Sequence, residues 1–222
     1  MGTQPRILKQ TRCLQCTPSV SELTKDQRHI ARMQRKKAVV DAKIKISTAH
    51  VQRGLFLIHT GNGKGKSTAA FGLLARALGH GMKAAVVQFV KSRSDTGEEA
   101  FFKTAPNVSW NVMGDGFTWE TQNAEQDKKS AQAAWELVKA YLQDESINLI
   151  ILDEFTYALK YQWLDIDEVV NAIDSRPEMQ HLVVTGRGAP PALIEIADTV
   201  SEISLIKHAF EAGVQAMPGI EF

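Results

Sequence analysis

The sequence predicts an α/β fold in which a mostly parallel central sheet is covered by helices on both faces. Three observations support this prediction. From residue 54 onwards, short apolar runs alternate with stretches of helical periodicity. The apolar runs are nearly continuous, as in strands that are buried on both faces of a parallel sheet. A glycine-rich loop joins the first of these strands to the first helix of the alternating region, where parallel α/β proteins commonly bind phosphate.

The predicted elements follow in a regular order along the 222 residues. Strands are expected at 55–60, 84–90, 147–154, 181–186 and 199–208, and helices at 69–78, at 124–142, from Asp165 and at 191–197. Asp165 with Glu168 has the spacing of a capping box, and Pro177 ends that helix. A loop of about thirty residues, 91–122, is predicted between the second strand and the helix at 124, and loops this long are commonly binding or lid segments.

The charge is distributed unevenly along the chain. Residues 1–53 contain 12 Lys and Arg against 3 Asp and Glu, whereas residues 54–222 contain 14 against 22, so a net charge of +1 combines +9 with −8. Residues 25–46 have the spacing of a basic helix with a modest apolar stripe. The sequence therefore predicts a flexible tail at 1–24, a basic helix and linker at 25–53, and a nucleotide-binding domain at 54–222.

Several classes of protein are excluded. No apolar run approaches the ~18 residues of a membrane-spanning helix, and the N-terminus has no apolar core of a secretory signal. The acidic body argues against a nucleic-acid track, so no nucleic-acid or membrane partner is expected. Cys13 and Cys16 lack the second pair of a zinc site and the strand-to-helix context of a redox motif. We therefore expect reduced thiols in a mobile tail and a cytoplasmic protein.

The strongest chemical signal is the loop 61–67, GNGKGKS, between an apolar strand and a helix. Backbone N–H groups of such a loop and the positive end of the helix dipole bind phosphate oxygens, and glycines allow the close approach. Lys66 is expected to reach the phosphates and Ser67 to bind Mg²⁺. The predicted nucleotide-binding residues are Gly61, Asn62, Gly63, Lys64, Gly65, Lys66 and Ser67.

The loop departs from the usual spacing of a P-loop, G-x-x-x-x-G-K-[ST]. Thr60 stands six residues before Lys66, and the nearest glycine is Gly61, so the loop is one residue short. A tighter loop still suits a polyphosphate, but the motif alone does not establish transfer of the γ-phosphoryl group.

The second half of a nucleotide site is expected at the end of the strand 147–154. Asp153 is the predicted metal ligand opposite Ser67, with Glu154 as a further possibility, because a carboxylate there holds Mg²⁺ directly or through water. Arg187 follows another apolar strand at the same edge of the sheet, where it either contacts phosphate or substrate or belongs to a structural turn.

Several strings together resemble one family. GNGKGKS, VVQFVKS, TGEE, VMGDGFTWETQN, ILDEFTYAL, VVTGRG and the closing KHAFEAGVQAMPGIEF are similar, in this order, to the P-loop ATP:corrinoid adenosyltransferases. The resemblance covers residues 54–222, about three-quarters of the chain. It implies a P-loop NTPase fold of the RecA-like type, preceded here by the basic helical arm.

The resemblance also implies an activity. The family transfers the 5′-deoxyadenosyl group of ATP to cobalt(I) of a corrinoid and releases triphosphate, with Mg²⁺ (or Mn²⁺) as the metal and an external reductant. Its P-loop has the same short form, and its ATP is bound with the triphosphate reversed, which suits attack at C5′ of the ribose. Lys66 matches the family's phosphate lysine, and Asp153 its acidic strand end.

Phe117 and Trp119 match the aromatic residues of the family that displace the lower axial ligand of cobalt and close the lower face of the corrin. Residues at i and i+2 point the same way in an extended chain. With Lys66 they are the predicted catalytic residues, and they are also the predicted corrinoid-binding pair.

The resemblance further implies a homodimer in which an N-terminal helix folds over the corrinoid pocket. The basic helix at 25–46 either fills this role or is a solvated surface. It is also a candidate for steering an acidic electron donor, a reduced flavodoxin-like protein or flavin, onto the site. A nucleic-acid-handling ATPase, a small-molecule kinase and a non-catalytic binding module are the alternatives that share the loop.

Overall fold

The computed structural model describes residues 24–46, 51–90, 96–113 and 124–221, with side chains described to residue 42 in the first range. The chain divides into two compact units, residues 1–51 and 52–222. In the first unit, helix α1 spans Lys25–Ile46, and its described side chains include the exposed apolar residues Ile30, Met33, Val39 and Val40. No helix of the described residues is long and apolar enough to cross a membrane.

The second unit is built around a six-stranded sheet in the order β3-β2-β4-β5-β1-β6, with every pairing parallel. The strands are β1 (Phe56–Thr60), β2 (Ala84–Gln88), β3 (Val108–Val112), β4 (Leu149–Asp153), β5 (His181–Thr185) and β6 (Thr199–Glu202). The helices are α2 (Lys66–Gly79), α3 (Gly97–Phe102), α4 (Ala124–Leu142), α5 (Thr156–Lys160), α6 (Ile166–Asp174) and α7 (Pro191–Ile196), and a 3₁₀ turn spans Ala209–Ala212. The α/β class and the parallel sheet are thus confirmed.

Helices cover both faces of the sheet, and alternation along each strand divides the core in two. In β4, Ile150 and Leu152 pack with α4–α7 on one face, whereas Leu149 and Ile151 pack with α2 and α3 on the other. All five residues of β4 are buried, which explains its continuous apolar sequence. The buried central strands therefore position the loops at their carboxyl ends.

The prediction of a loop at 91–122 is wrong in part, because the segment contains α3 and β3. Strand β3 lies at the edge of the sheet, and its Trp110 is buried between half-buried neighbours. Alternation of Val108, Trp110 and Val112 with polar residues is the signal of a strand buried on one face.

Other elements differ from the prediction as well. Helix α2 begins at Lys66 rather than at residue 69, and the short helix α5 was not predicted. Strand β6 ends at Glu202 rather than at residue 208. Ile203 still donates its N–H to the carbonyl of Thr60 at 2.8 Å, but its neighbour β1 has by then ended at the phosphate loop, so no strand is left to pair with.

Candidate active site

The phosphate loop connects the carboxyl end of β1 to the amino end of α2. Gly65 directly precedes α2 with a φ of 110°, and among the described residues no side chain caps this helix. The first N–H groups of α2 are consequently available to an anion, and the helix dipole adds a positive potential there. The structure places Ser67 in the first turn of α2, half-buried, and Asn62 on the exposed side of the loop.

The short loop packs against the chain that follows β6. The Gly63 N–H donates to the carbonyl of Ile203 at 2.7 Å, so this N–H is directed at protein rather than at the phosphate pocket. A Cβ on Gly61 would lie 2.5 Å from the Ile203 oxygen, and one on Gly63 would lie 2.7 Å from the Ser204 oxygen. Glycine is therefore required at both positions by close backbone packing.

Lys66 is held inside the loop. Its side chain is 6% exposed, and its Nζ donates to the Gly63 carbonyl oxygen at 2.7 Å. Burial lowers the pKa of Lys66, and the carboxylate of Glu154 opposes this shift. A bound polyphosphate would add further negative charge beside this buried ammonium.

A cavity of about 400 Å³ opens over the loop. Its lining combines loop residues with side chains from four other parts of the chain: Gly63, Lys64, Gly65, Lys66, Ser67, Thr68, Glu98, Glu154, Tyr157, Arg187, Ile220 and Glu221. Arg187 therefore lines the same cavity as the phosphate loop. Its contact with phosphate or substrate stays a prediction. Cations and carboxylates face the same volume, which suits a polyphosphate together with a metal ion.

Asp153 and Glu154, though adjacent, have different environments. Asp153 is fully buried, and its two oxygens accept hydrogen bonds from Gln88 Nε2 at 2.9 Å and Thr185 Oγ1 at 2.8 Å. The chain turns at Glu154, which has a φ of 56° and donates its N–H to Thr185 Oγ1 at 2.9 Å. As a result, Glu154 lines the cavity and Asp153 lies beneath it.

Five cavity residues were not identified from the sequence: Thr68, Glu98, Tyr157, Ile220 and Glu221. Glu98 belongs to the first turn of α3, and Tyr157 belongs to α5, whose short span gave no periodic signal. Glu221 comes from the end of the described chain and forms an ion pair with Lys64 across the cavity. Glu221 is recognised as a site residue only from this contact, because it lies 157 residues from Lys64 in the sequence.

Some predicted residues lie outside the described ones. Phe117 and Trp119 fall within residues 114–123, and Cys13 and Cys16 within residues 1–23. Their proposed roles in corrinoid binding and in a reduced tail stay predictions.

Comparison with known proteins decides the family. The family model described as ATP:corrinoid adenosyltransferase matches residues 52–222, and a model described as the N-terminal part of cob(I)alamin adenosyltransferase matches residues 21–44. The chain belongs to the ATP:corrinoid adenosyltransferase family. The predicted resemblance and the P-loop NTPase-like fold are thereby confirmed, and the N-terminal match covers most of α1.

Relatives in this adenosyltransferase family cover nearly the whole chain. A corrinoid adenosyltransferase of Pseudomonas aeruginosa is 58% identical over 199 residues, which are 89% of this chain and 97% of the relative. Corrinoid adenosyltransferases of Escherichia coli and Salmonella typhimurium are 45% and 44% identical over 197 residues, again 89% of this chain and 99% of each relative.

The family uses ATP, and the cavity fits a nucleotide-bound Mg²⁺. The hydroxyl of Ser67 and the carboxylate of Glu154 line the same volume, and both are hard oxygen ligands of the kind that Mg²⁺ binds. No cluster of three or more His, Cys, Asp or Glu side chains that could hold a metal exists among the described residues.

Proposed function

We propose that this protein transfers the 5′-deoxyadenosyl group of ATP to the cobalt(I) of a corrinoid. Cobalt(I) attacks C5′ of the ribose, a cobalt–carbon bond forms, the bond from C5′ to the triphosphate oxygen breaks, and triphosphate leaves with its electron pair. Cobalt is oxidised by two electrons to cobalt(III). The protein supplies no nucleophile to this step, because the nucleophile is the metal of the substrate.

The observation that carries the proposal is the short phosphate loop, whose Gly63 N–H is taken by Ile203. A loop that is one residue short and has one N–H fewer for phosphate favours a triphosphate bound differently from that of a γ-phosphoryl transferase. Lys64, Lys66 and Arg187 surround the cavity and neutralise the charge that grows on the leaving triphosphate. Because this charge grows in the transition state, the cations lower the barrier rather than only bind ATP.

We propose that Ser67 and Glu154 hold a divalent ion, Mg²⁺ or Mn²⁺, on the triphosphate. When bound, the ion supplies Lewis-acid stabilisation of the leaving group. Asp153 then acts from beneath the cavity, because its hydrogen bond from Thr185 also fixes the hydroxyl that accepts the Glu154 N–H. This assigns to Glu154 the direct role that the sequence favoured for Asp153.

On the cobalt side, we propose that Phe117 and Trp119 bind the corrinoid and exclude the lower axial ligand and water. Removal of that ligand favours four-coordinate cobalt and makes reduction of cobalt(II) to cobalt(I) easier. An external reductant, either a flavodoxin-like protein or a reduced flavin, supplies the electron. We further propose a homodimer and a cytoplasmic location, where ATP and such donors are present.

The activity is tested by incubating the full chain with ATP, Mg²⁺ and chemically reduced cobalamin. We expect a product whose absorption spectrum reverts on illumination, as cobalt–carbon bonds break in light. Lys66→Ala is expected to lower the initial rate at least about 100-fold, the size of effect seen when a transition-state donor is removed.

Lys83→Ala is the matched control. Lys83 directly precedes the amino end of β2, whereas the phosphate loop follows the carboxyl end of β1, and Lys83 Nζ donates to Ser146 Oγ at 3.0 Å. It is expected to react at the wild-type rate. No light-sensitive product with the wild-type chain, or equal rates for both lysine variants, would contradict the proposal.

A further inference from the structure

The chain that follows β6, residues 203–221, contacts the phosphate loop at both of its ends; we call it the C-terminal segment. At its start, the Ile203 carbonyl accepts the Gly63 N–H at 2.7 Å. At its end, Glu221 forms an ion pair with Lys64, 157 residues away in sequence. The loop that binds phosphate is thus held by one segment at two successive residues.

The ion pair lies within the site rather than on a remote surface. Lys64, Ile220 and Glu221 all line the 400 Å³ cavity over the phosphate loop. The side chain of Glu221 is 24% exposed and that of Lys64 is 50% exposed, so water still reaches the pair. An ion pair of this exposure is weak enough to exchange partners.

Charges around the cavity determine what Glu221 does there. Three cations, Lys64, Lys66 and Arg187, face three carboxylates, Glu98, Glu154 and Glu221. A triphosphate brings several negative charges into this volume. A carboxylate whose charge is not offset by a metal ion or by a hydrogen-bond donor therefore repels it. The Lys64 ammonium has three N–H donors, but the repulsion between Glu221 and a multiply charged anion opposes sharing them.

We propose that Glu221 competes with the triphosphate group for Lys64, so that the C-terminal segment holds this lysine between turnovers and helps the triphosphate to leave. The proposal rests on the proposed function, in which triphosphate is the leaving group and must vacate a strongly cationic loop. Glu221 is accordingly a residue that sets the affinity of the site for triphosphate, without contact to the reacting C5′ atom.

The proposal is tested by the binding of inorganic triphosphate to the full chain, measured by calorimetry at low ionic strength and one fixed Mg²⁺ concentration. Glu221→Gln keeps the shape of the side chain and removes its charge. We expect it to tighten binding by about threefold, the effect of releasing a partly exposed ion pair. The matched control is Glu211→Gln, an equal loss of charge in the 3₁₀ turn of the same segment, away from the cavity.

Lys64→Gln tests whether the effect passes through the lysine. If Glu221 acts by occupying Lys64, Glu221→Gln has little effect in the Lys64→Gln background, as a double-mutant cycle shows. Unchanged or weaker binding in Glu221→Gln would overturn the proposal, as would equal tightening in Glu211→Gln or full tightening without Lys64. The calorimetry measures triphosphate binding and requires no adenosyl transfer. Its failure is therefore distinguishable from failure of the proposed function, which the reaction with reduced cobalamin tests.

Discussion

At the scale of single residues, neighbouring side chains of the same charge have different environments in this site. Lys64 is half exposed and paired with Glu221, whereas Lys66 is buried and bonded to its own loop. The sequence identified both lysines, because the glycine-rich motif is local. It favoured Asp153 over Glu154 as the metal ligand, because the turn that brings Glu154 rather than Asp153 to the cavity is seen only in the structure.

A pair of isosteric variants separates the two carboxylates. Glu154→Gln removes a proposed ligand of Mg²⁺, and we expect the adenosyl transfer rate to fall at least about 100-fold with a raised Mg²⁺ requirement. Asp153→Asn is expected to be milder, because Gln88 can rotate its amide to accept from the new N–H group. Steady-state rates over a Mg²⁺ titration measure the difference. A larger loss and a higher Mg²⁺ requirement in Asp153→Asn would reverse the assignment.

At the scale of elements, sequence prediction succeeded where a signal is local. Helix α6 begins as predicted, with Asp165 Oδ1 accepting the N–H groups of Asp167 and Glu168 at 2.9 and 3.0 Å. Helix α3, strand β3 and helix α5 were missed. The edge strand β3 alternates apolar with polar residues instead of being continuously apolar, and the two helices have only six and five residues. Strand β6 ends where its neighbour β1 gives way to the phosphate loop. That loop is distant in the sequence, so the local sequence of β6 carries no sign of this end.

Loss of the α6 cap is expected to destabilise the protein without changing the site. Asp165→Ala leaves two N–H groups of the first turn without their acceptor and is predicted to lower the free energy of unfolding by about 1 kcal/mol. Urea denaturation measures this. Asp174→Ala, in the last turn of the same helix, removes a charge that the helix dipole disfavours, so it should not destabilise. Equal losses in the two variants would contradict the capping role.

The segment 114–123 is predicted to act on the reduction of cobalt. Phe117→Ala combined with Trp119→Ala should reduce turnover from cobalt(II) far more than turnover from cobalt(I) prepared beforehand, because only the first reaction requires removal of the lower ligand. Rates measured from both starting states give the comparison. An equal loss in both would show that the two residues have no role in the redox step.

At the scale of the whole molecule, the near-zero net charge results from a basic arm and an acidic body. The described side chains of α1 include Lys25, Arg28, Arg32, Arg35, Lys36 and Lys37. We expect this charge to attract an acidic electron donor and to increase its rate of encounter with the site. The sequence predicted the helix itself, because its periodicity is local, but it does not reveal what the helix contacts.

Deletion of residues 1–46 tests the arm. With a flavodoxin-like donor at low salt, the transfer rate is expected to fall by about tenfold, and the deficit should shrink as salt screens the charges. With a chemical reductant, the fall should be smaller and independent of salt. Equal effects with both reductants at every salt concentration would contradict steering by the arm.

Attack at C5′ of the ribose and attack at phosphorus give different phosphate products, so identifying the phosphate product distinguishes them. Phosphorus NMR of a reaction containing ATP, Mg²⁺ and reduced cobalamin identifies that product. We expect intact triphosphate in an amount equal to the cobalt–carbon product, and none without corrinoid. ADP or orthophosphate formed at the same rate whether or not corrinoid is present would contradict it.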